Sequence, residues 1–272
     1  MQSLSNIKAE REFEFSEADF KFLSSLAYEK TGIVLSENKK DLVYGRLARR
    51  LRSLGLSSFA DYCKLFDTDS ASDEMSQLIN AITTNLTSFF RESHHFEHLQ
   101  GEVKKLENKK LRIWSAACSS GMEPYSIAMT LKPLINAGWD AKILATDIDS
   151  NMLATGSAGE YAVVEYERIP EEYKKFATAN GNKIKVAEEL KELIAFKQLN
   201  LLEEWPMKGP FDAIFCRNVM IYFDKETKQK LIDRMADMLK PEGWLYIGHS
   251  ENLHGISDRF ELTGRTIYRR VK

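Results

Sequence analysis

The sequence predicts a doubly wound α/β sheet domain with a small inserted β-subdomain, preceded by an all-helical unit, and three observations carry that prediction. From residue 111 onward short apolar runs alternate with amphipathic helical patterns, as in a mostly parallel sheet covered by helices. Before residue 83 only helical periodicity recurs. At Phe211-Asp212-Ala213-Ile214-Phe215-Cys216-Arg217-Asn218 an apolar strand-like run stops at an Arg-Asn pair, and the ends of parallel strands are where open α/β sheets bind ligands.

In chain order, Ser16 with Asp19 three positions on makes a capping-box start. Phe20, Leu23 and Ala27 then recur on one face until Thr31-Gly32. Ser36 precedes a second helix in which Val43, Leu47, Leu51 and Leu54 repeat up to Gly55, and similar patterns cover 58 to 67 and 72 to 83. Asn85 and Thr87 are expected to cap a helix whose Phe89 and Phe90 are core. Leu111 to Ser115, Ile143 to Thr146, Ala213 to Cys216 and Trp244 to Gly248 read as strands, with helices near 123 to 137, 149 to 156 and 225 to 239. Between Tyr161 and Leu202 the alternation lapses, and Asn180-Gly181-Asn182 before Lys183 to Val186 marks a hairpin-containing insertion at about 161–199. Gly264-Arg265 is expected to turn a closing antiparallel hairpin. The domain order expected is a mobile tail at 1–15, the helical domain at 16–82, a linker at 83–108 that contributes to the site, and the sheet domain at 109–272.

Composition narrows the class. With 272 residues, 43% hydrophobic and 29% charged, the chain has ordinary soluble character and length for one large and one small unit. A formal net charge of -2 argues against wrapping nucleic acid phosphates. Cys63, Cys118 and Cys216 are widely spaced without a C-x-x-C, which suits reduced thiols in a cytoplasm and argues against zinc. The charged first fifteen residues hold no signal-peptide core, and no stretch approaches a membrane span, so a cytoplasmic protein is expected. His94, His95 and His98 share a helical neighbourhood, but no Cys or well-spaced carboxylate completes a ligand set, and no metal is expected.

The chemistry concentrates at strand ends. Ile113 to Ile127 is a strand, a loop of small residues and a helix start with Pro124 in its first turn, which offers backbone N–H groups to a nucleotide-like ligand. It lacks G-x-G-x-x-G spacing, and Glu123 would put a negative charge where a pyrophosphate should sit, so a dinucleotide is disfavoured. S-adenosylmethionine has no phosphate and carries an ammonium that Glu123 could pair with. Asp147 ends the second strand, where an acidic side chain can accept both ribose hydroxyls or cap the following helix; Asp149 is equally placed for the cap. For Arg217 a ligand contact and an ion pair at the sheet edge stand level.

The runs TTNLTSFFRESHHF, WSAACSSGMEPYSIAM, LATDID, NLL at Asn200 to Leu202, FDAIFCRNVMIYFD and LKPEGWLYIGHSENL resemble the chemotaxis receptor methyltransferases, the CheR family, over nearly the whole chain. The resemblance implies a helical N-terminal domain and a Rossmann-like, class I S-adenosylmethionine-dependent methyltransferase sheet with a small β-subdomain. It implies cofactor contacts at Asn85, Thr87, Arg91, Glu123, Asp147, Asn200, Leu201, Arg217 and Asn218. It implies further that Arg91 and Tyr222 face the reacting methyl group, and that the substrates are glutamate side chains on the cytoplasmic helical region of chemoreceptors. Arg46, Arg49 and Arg50, with Arg52 nearby, form a basic stretch that is either a solvated face or a docking surface for an acidic receptor bundle. Met122 and Ser120 depart from the residues common in the family without removing a needed charge. The loop at Asn180-Gly181-Asn182 is short with one glycine, which speaks against tethering to a receptor's C-terminal pentapeptide.

Two other classes compete. Amino-methylating enzymes of nucleic acid bases carry a proline-containing motif after this strand to grip a flipped base, and Asn218-Val219-Met220-Ile221 has none. A non-catalytic sensor of the cofactor would not need Arg91 and Tyr222.

Overall fold

A computed structural model describes residues 11–68 and 71–272, and the chain divides into two compact units, one running to Ile82 and one from Thr83.

The first unit holds α1 (Glu17–Thr31), α2 (Lys40–Leu54), α3 (Phe59–Lys64) and α4 (Ala71–Ile82). The capping box forms as expected: the Ser16 hydroxyl accepts from the Asp19 amide at 3.1 Å, while Asp19 accepts from the Ser16 amide at 2.9 Å. Phe20, Leu23, Ala27, Val43, Leu47, Leu51, Phe59, Tyr62, Leu78 and Ile82 make its core. Phe13 and Phe15 belong to that core too, Phe15 lying 4.2 Å from the Phe59 ring centre. The mobile tail expected at 1–15 is therefore wrong from Phe13 onward, because two buried aromatic rings anchor it; residues 1–10 lie outside the described residues.

A polar group crosses this core. Buried Glu74 accepts from Arg50 Nη2 at 2.6 Å and from the Tyr62 hydroxyl at 2.7 Å. Tyr62→Phe removes one hydrogen bond to a charged acceptor while Arg50 still satisfies it. A loss of about 1.5 kcal/mol is expected, read by urea unfolding followed by circular dichroism.

The second unit contains α5 (His94–Val103), β1 (Lys110–Ala116), α6 (Met122–Leu131), β2 (Asp140–Asp147), α7 (Ser150–Ala158), β3 (Glu160–Ala162), β4 (Ala177–Asn180), β5 (Lys183–Val186), α8 (Glu188–Lys191), β6 (Ile194–Gln198), β7 (Phe211–Cys216), α9 (Lys225–Met238), β8 (Leu239–Ile247), β9 (Phe260–Gly264) and β10 (Ile267–Arg270). Its main sheet runs β6-β2-β1-β7-β8-β10-β9, parallel through β8 and closed by antiparallel β10 and β9. A three-stranded antiparallel sheet, β3-β5-β4, forms the inserted subdomain.

Four local expectations are corrected. The helix expected to start at Asn85 and Thr87 does not exist: Phe90 and Glu92 sit at φ +50° and +58°, left-handed values that break helical continuity, and α5 begins only at His94. Phe89 and Phe90 are nevertheless buried. The helix expected to reach 137 stops at Leu131: Lys132 still has helical backbone, but Pro133 has no N–H to carry the hydrogen-bond ladder on. The insertion expected at about 161–199 ends sooner, because β6 pairs with β2 in the main sheet; its short apolar run, Leu193 to Phe196, does not tell which sheet the strand joins. The closing hairpin turns at Arg265-Thr266, one residue late, with Thr266 at φ +56° and Gly264 already paired with Ile267.

Candidate active site at the sheet's carboxyl edge

Strand register brings the singled-out residues to one edge. Ala116 of β1 is level with Thr146 of β2 and with Cys216 of β7, so Asp147, the loop from Ala117 and Arg217 leave the sheet side by side. β6 ends level with Asp147 and carries the chain to Asn200 and Leu201, and β8 ends at Ile247 opposite Cys216. This is the edge and the strand order at which ligands bind in open parallel sheets.

The loop after β1 is compressed by left-handed residues at Ala117, Ser119 and Gly121. Only glycine fits at 121: φ is +87°, and a Cβ would stand 2.8 Å from the Cα of Gly156. The loop delivers Glu123 into the first turn of α6, where its Oε1 accepts from the Ser115 hydroxyl at 2.7 Å and its Oε2 from Arg217 Nη1 at 2.9 Å. Arg217 is buried, donates through Nη2 to the Arg91 carbonyl, and has the same nitrogen 3.4 Å from Glu92 Oε2. The ion pair that stood level with a ligand contact for Arg217 is present, and it is double, with carboxylates on both sides.

At the end of β2, Asp147 Oδ2 accepts from the Ser119 amide at 2.7 Å and Oδ1 from the Asp149 amide at 2.9 Å. Asp149 takes the cap of α7, accepting from the Asn151 amide, and also accepts from Asn85 Nδ2 at 2.8 Å. Asp147 is thus relieved of capping. Burial pushes its carboxyl above the usual range, against the pull of the amides that bond it. Asn85 is fixed a second way, its carbonyl accepting from the Ser119 hydroxyl. Asn200 accepts from the Leu202 amide, and Leu201 is buried.

Thr87 is half-buried on the segment between Asn85 and Arg91. Arg91 turns its guanidinium back on that segment, donating to the Leu86 carbonyl at 2.9 Å. Tyr222 closes a single 3-10 turn, Met220–Tyr222, after Asn218, whose backbone is left-handed at φ +58°. The basic stretch of α2 belongs to the helical unit and is largely engaged: Arg46 donates to the Ile82 carbonyl, Arg50 pairs with Glu74 and Arg52 with Glu12. Arg49 is exposed.

Glu92, His249 and Glu251 join the site without any mark in the sequence pattern. Glu92 accepts from His249 Nδ1 at 2.9 Å; burial works to raise its pKa, but that hydrogen bond and the Arg217 charge prevail and hold it at about 2. Glu92 lies in a segment without helical or strand pattern, and His249 and Glu251 stand in a loop where no periodicity operates. The histidines of α5 do not gather for a metal. His94 Nε2 donates to the Arg265 carbonyl, His95 Nε2 bonds the Thr266 hydroxyl and His98 the Tyr246 hydroxyl, so all three dock the closing hairpin and its neighbour strand. Among the described residues no three potential ligands cluster for a metal ion, and no helix is long and apolar enough to cross a membrane.

Five carboxylates, Glu92, Glu123, Asp147, Asp149 and Glu251, surround this edge against one buried guanidinium. Such a site repels phosphate and suits a cationic ligand. Each Asp147 oxygen takes one backbone hydrogen bond, which leaves lone pairs for hydroxyl donors such as a ribose diol. These residues fit S-adenosylmethionine, which is cationic and carries no phosphate.

Comparison with known proteins gives the same direction. The family model described as CheR methyltransferase, SAM binding domain matches residues 85–269, and the one described as CheR methyltransferase, all-alpha domain matches residues 18–83. The chemotaxis protein methyltransferase of Escherichia coli is 44% identical over 262 residues, covering 93% of this chain and 91% of that protein. Chemotaxis protein methyltransferase 2 of Pseudomonas aeruginosa is 44% identical over 268 residues, covering 95% of each. The chemotaxis protein methyltransferase of Borreliella burgdorferi is 40% identical over 248 residues, covering 86% of this chain and 87% of that protein.

Proposed function

The chain belongs to the CheR methyltransferase family, and from that premise we propose that it transfers a methyl group from S-adenosylmethionine to glutamate side chains of chemoreceptors, in the cytoplasm, forming glutamyl methyl esters. The observation that carries the reading is the buried Glu123–Arg217 pair at the level ends of β1 and β7, an acidic setting beside Asp147 that disfavours a phosphate ligand.

Bound S-adenosylmethionine supplies an activated methyl on a sulfonium. A glutamate side chain, with a reference pKa of about 4.3, is already ionised at neutral pH and needs no general base. Accordingly the reaction needs no catalytic histidine, and His94, His95 and His98 are committed to the closing hairpin and strand. Carboxylate and sulfonium neutralise each other during transfer, so water, which solvates both, opposes the reaction. The protein's task is alignment and exclusion of water, for which orientation supplies up to about 7–11 kcal/mol.

In this reading Asp147 accepts from the ribose hydroxyls and Glu123 faces the ammonium, with Asn85, Thr87, Asn200, Leu201, Arg217 and Asn218 shaping the rest of the cofactor site. Arg91 and Tyr222 orient the substrate carboxylate. With saturating cofactor, Arg91→Ala and Tyr222→Phe are each expected to lower turnover by at least about tenfold; normal turnover in both removes their assignment. Receptor docking on α2 falls chiefly to Arg49, with Arg46, Arg50 and Arg52 framing it, and it should weaken with added salt. The β4–β5 turn is only Gly181-Asn182, which supports action without pentapeptide tethering.

The decisive experiment supplies labelled S-adenosylmethionine and receptor-containing membranes, then mild base. Volatile methanol is the expected result and marks an ester. Base-stable label would mean N-methylation, and no transfer would mean a cofactor sensor.

A further inference from the structure

The loop after β8, Gly248-His249-Ser250-Glu251, has no part in the function proposed above, yet two of its side chains reach back to the cofactor edge. His249 bonds Glu92, the carboxylate on the outer side of Arg217. Glu251 is buried and places Oε2 on two backbone amides at once, that of Asn218 at 2.9 Å and that of Gly248 at 2.6 Å, while the amides of Met220 and Ile221 also face its carboxylate. Asn218 needs such a hold. Its backbone is left-handed, a conformation that asparagine tolerates at some cost, and it stands at the turn where β7 hands the chain to Tyr222. Gly248 is the counterpart: a Cβ there would lie 2.2 Å from Asn218 Nδ2, so the Asn218 side chain occupies the space that only glycine leaves open.

We propose that Glu251 is a positioning residue for the cofactor site, holding the Asn218 turn against Gly248 so that Arg217 and Asn218 are presented to S-adenosylmethionine. The assignment rests on the methyltransferase reading. A single buried oxygen bridging two amides from neighbouring strand ends keeps β7 and β8 in fixed relation beyond the sheet, where no ladder does so. Because Oε2 carries both bonds, glutamine can supply the same oxygen through its amide carbonyl, whereas alanine supplies none.

The test titrates S-adenosylhomocysteine into the full-length protein. Glu251→Ala is expected to weaken binding about tenfold or more, the size of one or two lost hydrogen bonds, and Glu251→Gln to stay within about threefold of the parent. Gly248→Ala leaves Glu251 intact but displaces Asn218, and should reproduce the alanine loss. Parent-like binding by Glu251→Ala overturns the assignment, as does an equal loss in Glu251→Ala and Glu251→Gln that only follows their thermal midpoints. Should Glu251→Ala not fold, parent-like affinity in Gly248→Ala would overturn it by itself. Failure of the parent protein to bind would instead sink the methyltransferase reading.

Discussion

Arg217→Ala should abolish cofactor binding and destabilise the sheet unit by about 3–5 kcal/mol, the range found when one partner of a buried ion pair is removed. The guanidinium lies between Glu123 at 2.9 Å and Glu92 at 3.4 Å, and its side chain is 2% exposed. Without it, two enclosed carboxylates face each other with no cation between them, and the Arg91 carbonyl loses its donor. Lysine keeps the charge but not the planar fork that reaches Glu123 and the Arg91 carbonyl together, so Arg217→Lys should recover only part of both properties. Arg217→Met with Glu123→Gln separates the two effects. Removing a charge from each side restores stability toward the parent, while the ligand-facing carboxylate stays lost. Thermal unfolding and calorimetric titration with S-adenosylhomocysteine read the two properties, and parent-like values of both in Arg217→Ala would refute this account of the site.

The sequence made the positions at the centre of this site visible because apolar runs there end abruptly on polar residues. Cys216-Arg217-Asn218 and Thr146-Asp147 announce the ends of β7 and β2, and Gly121 announces a turn that needs a residue without a Cβ. Edge and loop features carry no such mark. β6 has one short apolar run, Ile194 to Phe196, directly after the strands of the small sheet, and such a run does not tell which of the two sheets it joins. Phe90, Glu92 and Thr266 adopt left-handed backbone without being glycine, and tertiary contacts that no local rule anticipates hold them there: the Phe90 amide donates to the Ser126 hydroxyl, Glu92 accepts from His249, and Thr266 meets His95. The second carboxylate on Arg217 was hidden for the same reason, since Glu92 reaches it across 125 positions of sequence only after folding.

Acid should destabilise the sheet unit well above the ordinary carboxylate range, through His95. The Thr266 hydroxyl donates to the Arg265 carbonyl, so it accepts from His95 Nε2, and Nδ1 is left without a hydrogen-bond partner. Burial, reinforced by the charges of Arg217 and His94 and only partly opposed by Glu92, pushes the ring down to about 3 from its ordinary 6.5. Between those values the unfolded chain binds a proton that the folded chain refuses, so stability falls as pH falls, by about 1.4 kcal/mol per unit and roughly 2 kcal/mol by pH 5. His98, lowered by burial as well, adds in the same direction. Glu92 contributes only further down: its stabilisation is complete above the unfolded carboxyl range and is lost as pH falls toward about 2. Asp147 and Glu251, raised by burial, take up protons in the folded state before the unfolded chain does and oppose these losses; both remain when His95 is replaced, so comparison with His95→Gln isolates the part due to His95. All four tryptophans, Trp114, Trp139, Trp205 and Trp244, lie in the sheet unit, and their fluorescence in urea follows that unit alone. His95→Gln retains a donor toward Thr266 and cannot titrate, so it should lose the share of the slope that His95 supplies and keep only the part due to His98. An unchanged slope in His95→Gln would rule His95 out as the source.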